Sequence, residues 1–184
     1  MNFLRFALLA VAFVVPGTAG ASGNLLSNGS FETGSFSGWQ RHNVPNQLHY
    51  PCVIVNNPTV AGTEPTGGLS PDPIGTRFLV CVANPSNESM TQTVFLNPGV
   101  YSVGFTAYPF SYQETDNEKF IASVGNTTVA SINSANKAAN QWYLVTGTIQ
   151  INTAGTYTVR FKYLVAGQYG RDIYVDRLYM VQVN

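Results

Sequence analysis

Along most of this chain the residues alternate with a period of two, and that alternation leaves little room for any fold but packed β-sheets. Ser89 to Leu96, Val100 to Tyr108, Glu118 to Gly125, Thr127 to Ile132, Trp142 to Ile151, Thr156 to Val165 and Ile173 to Val183 read as strands rich in β-branched and aromatic residues. No stretch carries the 3.6-residue period of an amphipathic helix. Asn97-Pro98-Gly99 and Ala154-Gly155 predict tight turns, and Gly125-Asn126 a hairpin. Strands this short and evenly spaced predict an all-β fold, an antiparallel β-sandwich. Between Arg41 and Thr76 the pattern dissolves into Pro, Asn, Gly and Thr around one strand at Val53 to Val55. A stretch so irregular inside a compact domain points to function or mobility.

The first residues stand apart from the fold. Met1 to Phe6 carries one positive charge, at Arg5, Phe6 to Val15 is unbroken apolar sequence, and Pro16 to Ala21 supplies a helix breaker and small residues. This predicts a secretory signal peptide over residues 1–21, cleaved after Ala21. The alternative, an uncleaved anchor, fits less well, because a membrane span needs about 20 apolar residues. Residues 22–184 then make one domain, long enough to bury a real core. With no lipid, sortase or transmembrane anchor in view, the expectation is a free-standing secreted module, extracellular or periplasmic.

Charge narrows the partners. Losing Arg5 with the leader leaves eight of nine basic residues against nine acidic ones, so no net field attracts nucleic acid or an anionic membrane. Two cysteines remain in the exported chain, Cys52 in PCVIV and Cys81 in FLVCV. An oxidising compartment favours a disulfide between these strand-like runs over two free thiols. Zinc would need further Cys or His at tight spacing, and His42 and His49 have no partner motif.

The run NLLSNGSFETGSFSGW, Asn24 to Trp39, and the closing IYVDRLYMV resemble the two ends of jelly-roll carbohydrate-binding modules of families 4, 9 and 22, of the galactose-binding-like type. The segment TQTVFLNPGVYSVGFTAY resembles the central hairpin of the same modules. The resemblance implies a jelly roll whose two termini lie side by side. It also implies a structural calcium ion held by Glu32 and Asp176 with nearby backbone carbonyls, a donor set that suits a cation taking six to eight oxygens. The family often has two consecutive acids where this chain has Asp176 and then Arg177. The alternative is that Glu32 pairs with Arg171 or Arg177 while Asp176 accepts backbone donors. Phe31, Trp39 and Trp142 match framework positions and are expected in the core.

A module of this kind binds sugars by stacking their C–H faces on exposed rings beside a few polar side chains. If Tyr101, Val103 and Phe105 point inward, Ser102, Gly104, Thr106 and Tyr108 point outward, which makes Tyr108 the stacking candidate, with Phe110 and Tyr112 following it. By the same parity Tyr157, Val159, Phe161 and Tyr163 are core and Arg160 faces out, placed to act across from Tyr108. Tyr50, Tyr169 and Tyr174 read equally well as half-buried strand residues. No nucleophile elbow, phosphate loop or zinc-binding His pair is present, and Glu64, Asp72, Glu114 and Asp116 read as solvated loop acids, so no enzyme is expected. The sequence therefore predicts a non-catalytic, lectin-like module for a neutral glycan. The competing reading is an extracellular matrix or adhesion protein that uses the same sandwich for protein contacts.

Overall fold

The computed structural model describes residues 23–44, 52–56, 75–82, 87–110, 118–165 and 172–183. The expected signal peptide, most of the irregular stretch, Tyr50, Tyr112, Tyr169, Arg171 and the four loop acids lie outside them. The described residues form β1 (Gln40–His42), β2 (Val53–Asn56), β3 (Arg77–Cys81), β4 (Ser89–Leu96), β5 (Gly99–Pro109), β6 (Lys119–Val124), β7 (Thr127–Asn133), β8 (Tyr143–Ile151), β9 (Gly155–Leu164) and β10 (Ile173–Val183). Their only helix is a single 3-10 turn, Ser134–Asn136. The strands make two antiparallel five-stranded sheets: sheet A in the order β1-β4-β9-β6-β7 and sheet B in the order β2-β3-β10-β5-β8.

Alternation explains how the sheets pack. Met90, Val159, Phe161, Tyr163, Phe120, Ala122 and Ile132 from sheet A meet Leu79, Tyr101, Val103, Phe105, Val175 and Met180 from sheet B in one buried core. Phe105 bridges the layers, with its ring centroid 4.9 Å from that of Phe120 and 6.2 Å from that of Phe161. Each such ring contributes roughly 1.5–3 kcal/mol through burial. Phe31 and Trp39 join the core as expected, and Tyr157 packs against its edge. The turns also fall where the sequence places them: β4 leads to β5 through Asn97-Pro98, and Gly125 takes a φ of 55° in the β6–β7 hairpin.

The two ends of the chain do lie side by side. Asn24 Nδ2 donates to Leu178 O at 2.9 Å, Asn24 Oδ1 accepts from Met180 N at 3.0 Å, and Leu25 N donates to Met180 O at 2.8 Å. The opening Asn of the NLL run thus acts as a side-chain extension of the sheet, pairing with one carbonyl and one N–H of β10.

Cys52 and Cys81 are joined as a disulfide, with 4.2 Å between their Cα atoms. A buried carboxylate braces the bond: Glu88 Oε2 accepts from Cys52 N at 2.9 Å, and its Oε1 pairs with Arg41. Arg41 in turn donates to Cys52 O at 3.0 Å and stacks 4.1 Å above the Phe36 ring. Arg41 is in β1, a strand that the sequence pattern leaves inside an irregular stretch. Three residues are too few for a readable alternation, and pairing with β4 supplies what local propensity lacks.

Candidate functional site

Strand parity is right for β5, but Tyr108 is not exposed. It points away from the main core, as expected, yet only 1% of its surface reaches solvent. A second apolar cluster covers the outer face of sheet B at this end: Phe78, Val80, Tyr108, Phe110 and Tyr174, with Val55, Val82 and Trp142 against them. The Tyr108 and Tyr174 rings stack 5.6 Å apart and 7° from parallel, and Trp142 tilts onto Tyr108 at 5.4 Å. Alternation tells which face a side chain takes; it does not tell whether that face is open. Phe110 is buried in the same cluster, stacked on Tyr174 at 5.7 Å. Trp142 is therefore half-buried on the outer face of sheet B, not in the core between the sheets where its framework position put it.

Two polar atoms in this cluster, Tyr108 Oη and Trp142 Nε1, are buried with no hydrogen-bond partner among the described residues. Burial pushes the Tyr108 phenol above its ordinary value of 10.0, because the charged phenolate loses water that nothing replaces.

Arg160 does not face Tyr108. It sits in β9 of sheet A, opposite Thr91 and Ser123, while Tyr108 is in β5 of sheet B. Both side chains point outward from a two-layer sandwich, so they lie on opposite sides of the molecule. Parity within a strand carries no information about which sheet the strand joins.

The residues that shape an open site on sheet B come from a break in that alternation. The β5–β10 register shifts between Asp176 and Tyr179, and Arg177 takes the left-handed region at a φ of 56°. This bulge inserts one residue. Val175 points into the core, Leu178 and Met180 point in after it, and Tyr179, which strict alternation from Val175 would bury, turns outward instead. Tyr179 pairs with Gly104, which in turn pairs with Thr146 on β8. The tyrosine reclines across this row: its hydroxyl donates to Thr146 Oγ1 at 2.7 Å, and a Cβ on Gly104 would lie 2.8 Å from its Cζ. Thr146 Oγ1 is also 3.1 Å from Ser102 Oγ. The half-buried ring thus reaches from β10 across β5 to β8, with its hydroxyl end over Gly104.

Beside this ring is a cleft of about 570 Å³ lined in part by Leu144, Arg177, Val181, Asn28 and Gly29. Leu144 is 66% exposed. The arrangement offers a flat ring, an aliphatic side chain, an exposed guanidinium and a row of hydroxyls, the mixture by which a shallow site holds a sugar. None of these residues was assigned to a sugar site from sequence, where Arg177 entered only as a possible partner of Glu32. The available signal was the Asp176-Arg177 pair, two charges in an apolar strand, which marks a bulge.

Glu32 holds the start of β3, and Asp176 lies in β10, the strand beside it. Glu32 Oε1 accepts from Arg77 N at 2.8 Å, and Oε2 has no partner among the described residues. Val175 pairs with Leu79, which carries Asp176 alongside the Arg77–Phe78 step that Glu32 holds. The Asp176 carboxylate is fully buried, with Oδ1 accepting from Arg177 N at 2.6 Å. The expected backbone donor to Asp176 is therefore present. Among the described residues no group of three His, Cys, Asp or Glu side chains could hold a metal.

No family model and no curated protein matches the chain. Solved structures do. A carbohydrate-binding module, TmCBM61, solved in complex with β-1,4-galactotriose, has a TM-score of 0.55 at 21% identity, covering 88% of this chain and 100% of its own. A Stig cyclase from Fischerella sp. TAU has a TM-score of 0.64 at 14% identity, covering 89% of this chain and 98% of that one. The CBM22-1–GH10 modules of a Clostridium thermocellum xylanase, complexed with xylohexaose, match at 0.51 and 15% identity over 91% of this chain and 29% of that one. At these identities the likeness is one of fold. The protein has the jelly-roll sandwich of carbohydrate-binding modules, a fold that cyclases share.

Proposed function

We propose that the protein binds a neutral glycan on the outer face of sheet B, with Tyr179 as the stacking ring. The observation that carries this reading is the ring's position: it reclines over Gly104 beside an open cleft, fixed by its bond to Thr146. Leu144 extends the apolar platform, while Arg177, Ser102 and Thr146 offer polar contacts. The buried Tyr108 cluster stiffens the same sheet next to the platform and is not itself the contact surface. Two proteins of this fold were solved with a galactotriose and a xylohexaose, which makes those oligosaccharides the first probes.

The test is calorimetric titration of both oligosaccharides into the wild type, Tyr179→Ala and Tyr179→Phe. Aromatic stacking contributes about 0.5–1.5 kcal/mol, so the alanine variant should bind roughly two- to tenfold more weakly, and the phenylalanine variant, which keeps the ring but loses its bond to Thr146, should fall between the two. Equal affinity for wild type and Tyr179→Ala rules out this platform. No binding to any glycan, together with concentration-dependent assembly, favours the matrix-protein reading.

A structural calcium ion belongs to the same proposal. Glu32 and Asp176 would hold it with backbone carbonyls, the two carboxylates balancing the charge of the divalent cation. The donor set is all oxygen, which fits a hard cation. Binding only to the folded state raises stability by mass action. Added calcium should therefore raise the melting temperature, chelation should lower it, and Asp176→Asn should abolish the difference. A melting temperature indifferent to both calcium and chelator removes the site.

A further inference from the structure

The outer face of sheet A is the side of the sandwich that the glycan reading leaves unused, and its side chains are not those of an inert surface. Along β4 the outward residues are Ser89, Thr91, Thr93 and Phe95, and they pair in order with Lys162, Arg160, Thr158 and Thr156 of β9. Lys119 of β6 pairs with Leu164, placing a third cation beside Lys162. Arg160 and Lys119 are exposed and Lys162 half-buried, and none of the three has an ion pair or hydrogen bond among the described residues. Among the described residues the neighbouring acids, Glu88 and Glu118, are buried on Arg41 and Ser134. Among the described residues this face presents three cations, no carboxylate and the exposed hydroxyls of Thr93, Thr156 and Thr158, while Ser89 and Thr91 are buried, with Thr91 Oγ1 2.9 Å from His42 Nε2. At its other end Phe95 is 66% exposed, the only aromatic ring among the exposed large apolar residues described.

The spacing gives the face a direction. From Lys162 to the Phe95–Thr156 pair is six residues of strand, about 20 Å at roughly 3.4 Å per residue. A ring at one end, hydroxyls between and a cation cluster at the other suit an extended polymer with apolar C–H faces and regularly placed negative charges. We propose that the outer face of sheet A is a second binding surface, on the opposite side from Tyr179, for an acidic polysaccharide carrying carboxylates along its chain. Arg160 would take a carboxylate through paired N–H donors, Lys162 and Lys119 act as point charges, and Phe95 stacks on a sugar ring. A nucleic acid is the poorer match: its dense phosphates call for a broader basic surface than three cations on a chain of zero formal net charge.

The probe is polygalacturonate, with its fully methyl-esterified form as the same polymer without charge. Wild-type protein should bind the acid form, more weakly as salt rises, since exposed charges are screened. The Arg160→Gln/Lys162→Gln variant should lose about tenfold in affinity, equivalent to about 1.4 kcal/mol. Phe95→Ala should weaken binding at low and high salt alike, and Tyr179→Ala should leave it unchanged, which separates this surface from the sheet B platform. Arg160 and Phe95 are exposed and Lys162 half-buried, with no bond to lose among the described residues, and each variant should melt like its parent. Wild-type affinity in the double glutamine variant, equal affinity for the methyl ester, binding lost through Tyr179→Ala, or equal affinity for single-stranded DNA would each overturn the proposal.

Discussion

Tyr108 shows how far a single residue can be read from its neighbours in sequence. Its direction follows from β5 alone, but its burial depends on Phe78, Val80 and Tyr174, which come from two other strands. Its hydroxyl has no hydrogen-bond partner among the described residues, and an unsatisfied buried donor costs about 1–3 kcal/mol. Tyr108→Phe should therefore melt at or above the wild-type temperature, as differential scanning calorimetry would record. A clear loss of stability would mean that the hydroxyl has a partner after all. The raised phenol pKa gives a second readout with a definite sign. Between the unfolded value near 10 and the higher folded value, the unfolded chain releases a proton that the folded one keeps, so stability falls as pH rises through that window. Tyr108→Phe should flatten this alkaline loss.

At the level of elements, alternation was enough to find β4 to β10, because each is long enough to repeat its pattern. β1 was not legible, since its three residues take their structure from β4. The candidate site was legible only in part. The side on which Tyr108 lies could be read, but not its cover, and the sheet to which Arg160 belongs depends on long-range pairing. Tyr179 was hidden by the bulge at Arg177, which reverses the parity of the strand's second half. Its platform also depends on a missing side chain, at Gly104. A Cβ there would meet Val145 O and the end of the Tyr179 ring, and the backbone oxygen cannot step aside. Gly104→Ala should cost about 1–3 kcal/mol by overpacking and shift the tyrosine off the sheet. Denaturant unfolding reads the first effect, and loss of oligosaccharide binding the second. Unchanged unfolding and binding together would mean that Tyr179 does not lie across Gly104.

For the molecule as a whole, the disulfide sits where local signals are weakest. β2 is a four-residue edge strand between segments of irregular sequence, and Cys52 immediately precedes it. The bond ties this edge to β3, which pairs with β10 and through it with β5, so one covalent link fixes the margin of sheet B to its centre. Glu88 and Arg41 reach the same point from sheet A, so the two layers meet at Cys52 through a buried ion pair as well. With the cysteines 29 positions apart in sequence, removing the link restores roughly 3–4 kcal/mol of loop entropy to the unfolded chain. A Cys52→Ala/Cys81→Ala variant should melt lower by roughly 10 °C for a domain of this size. Glu88→Ala should add to that loss, because it leaves the half-buried Arg41 without its carboxylate. The comparison to make is melting of the wild type, the double alanine variant and the wild type under reductant. If the last two coincide well below the first, the stability lost is that of the bond itself. If the alanine variant melts like the oxidised wild type, the Glu88–Arg41 pair alone holds the margin and the disulfide is dispensable.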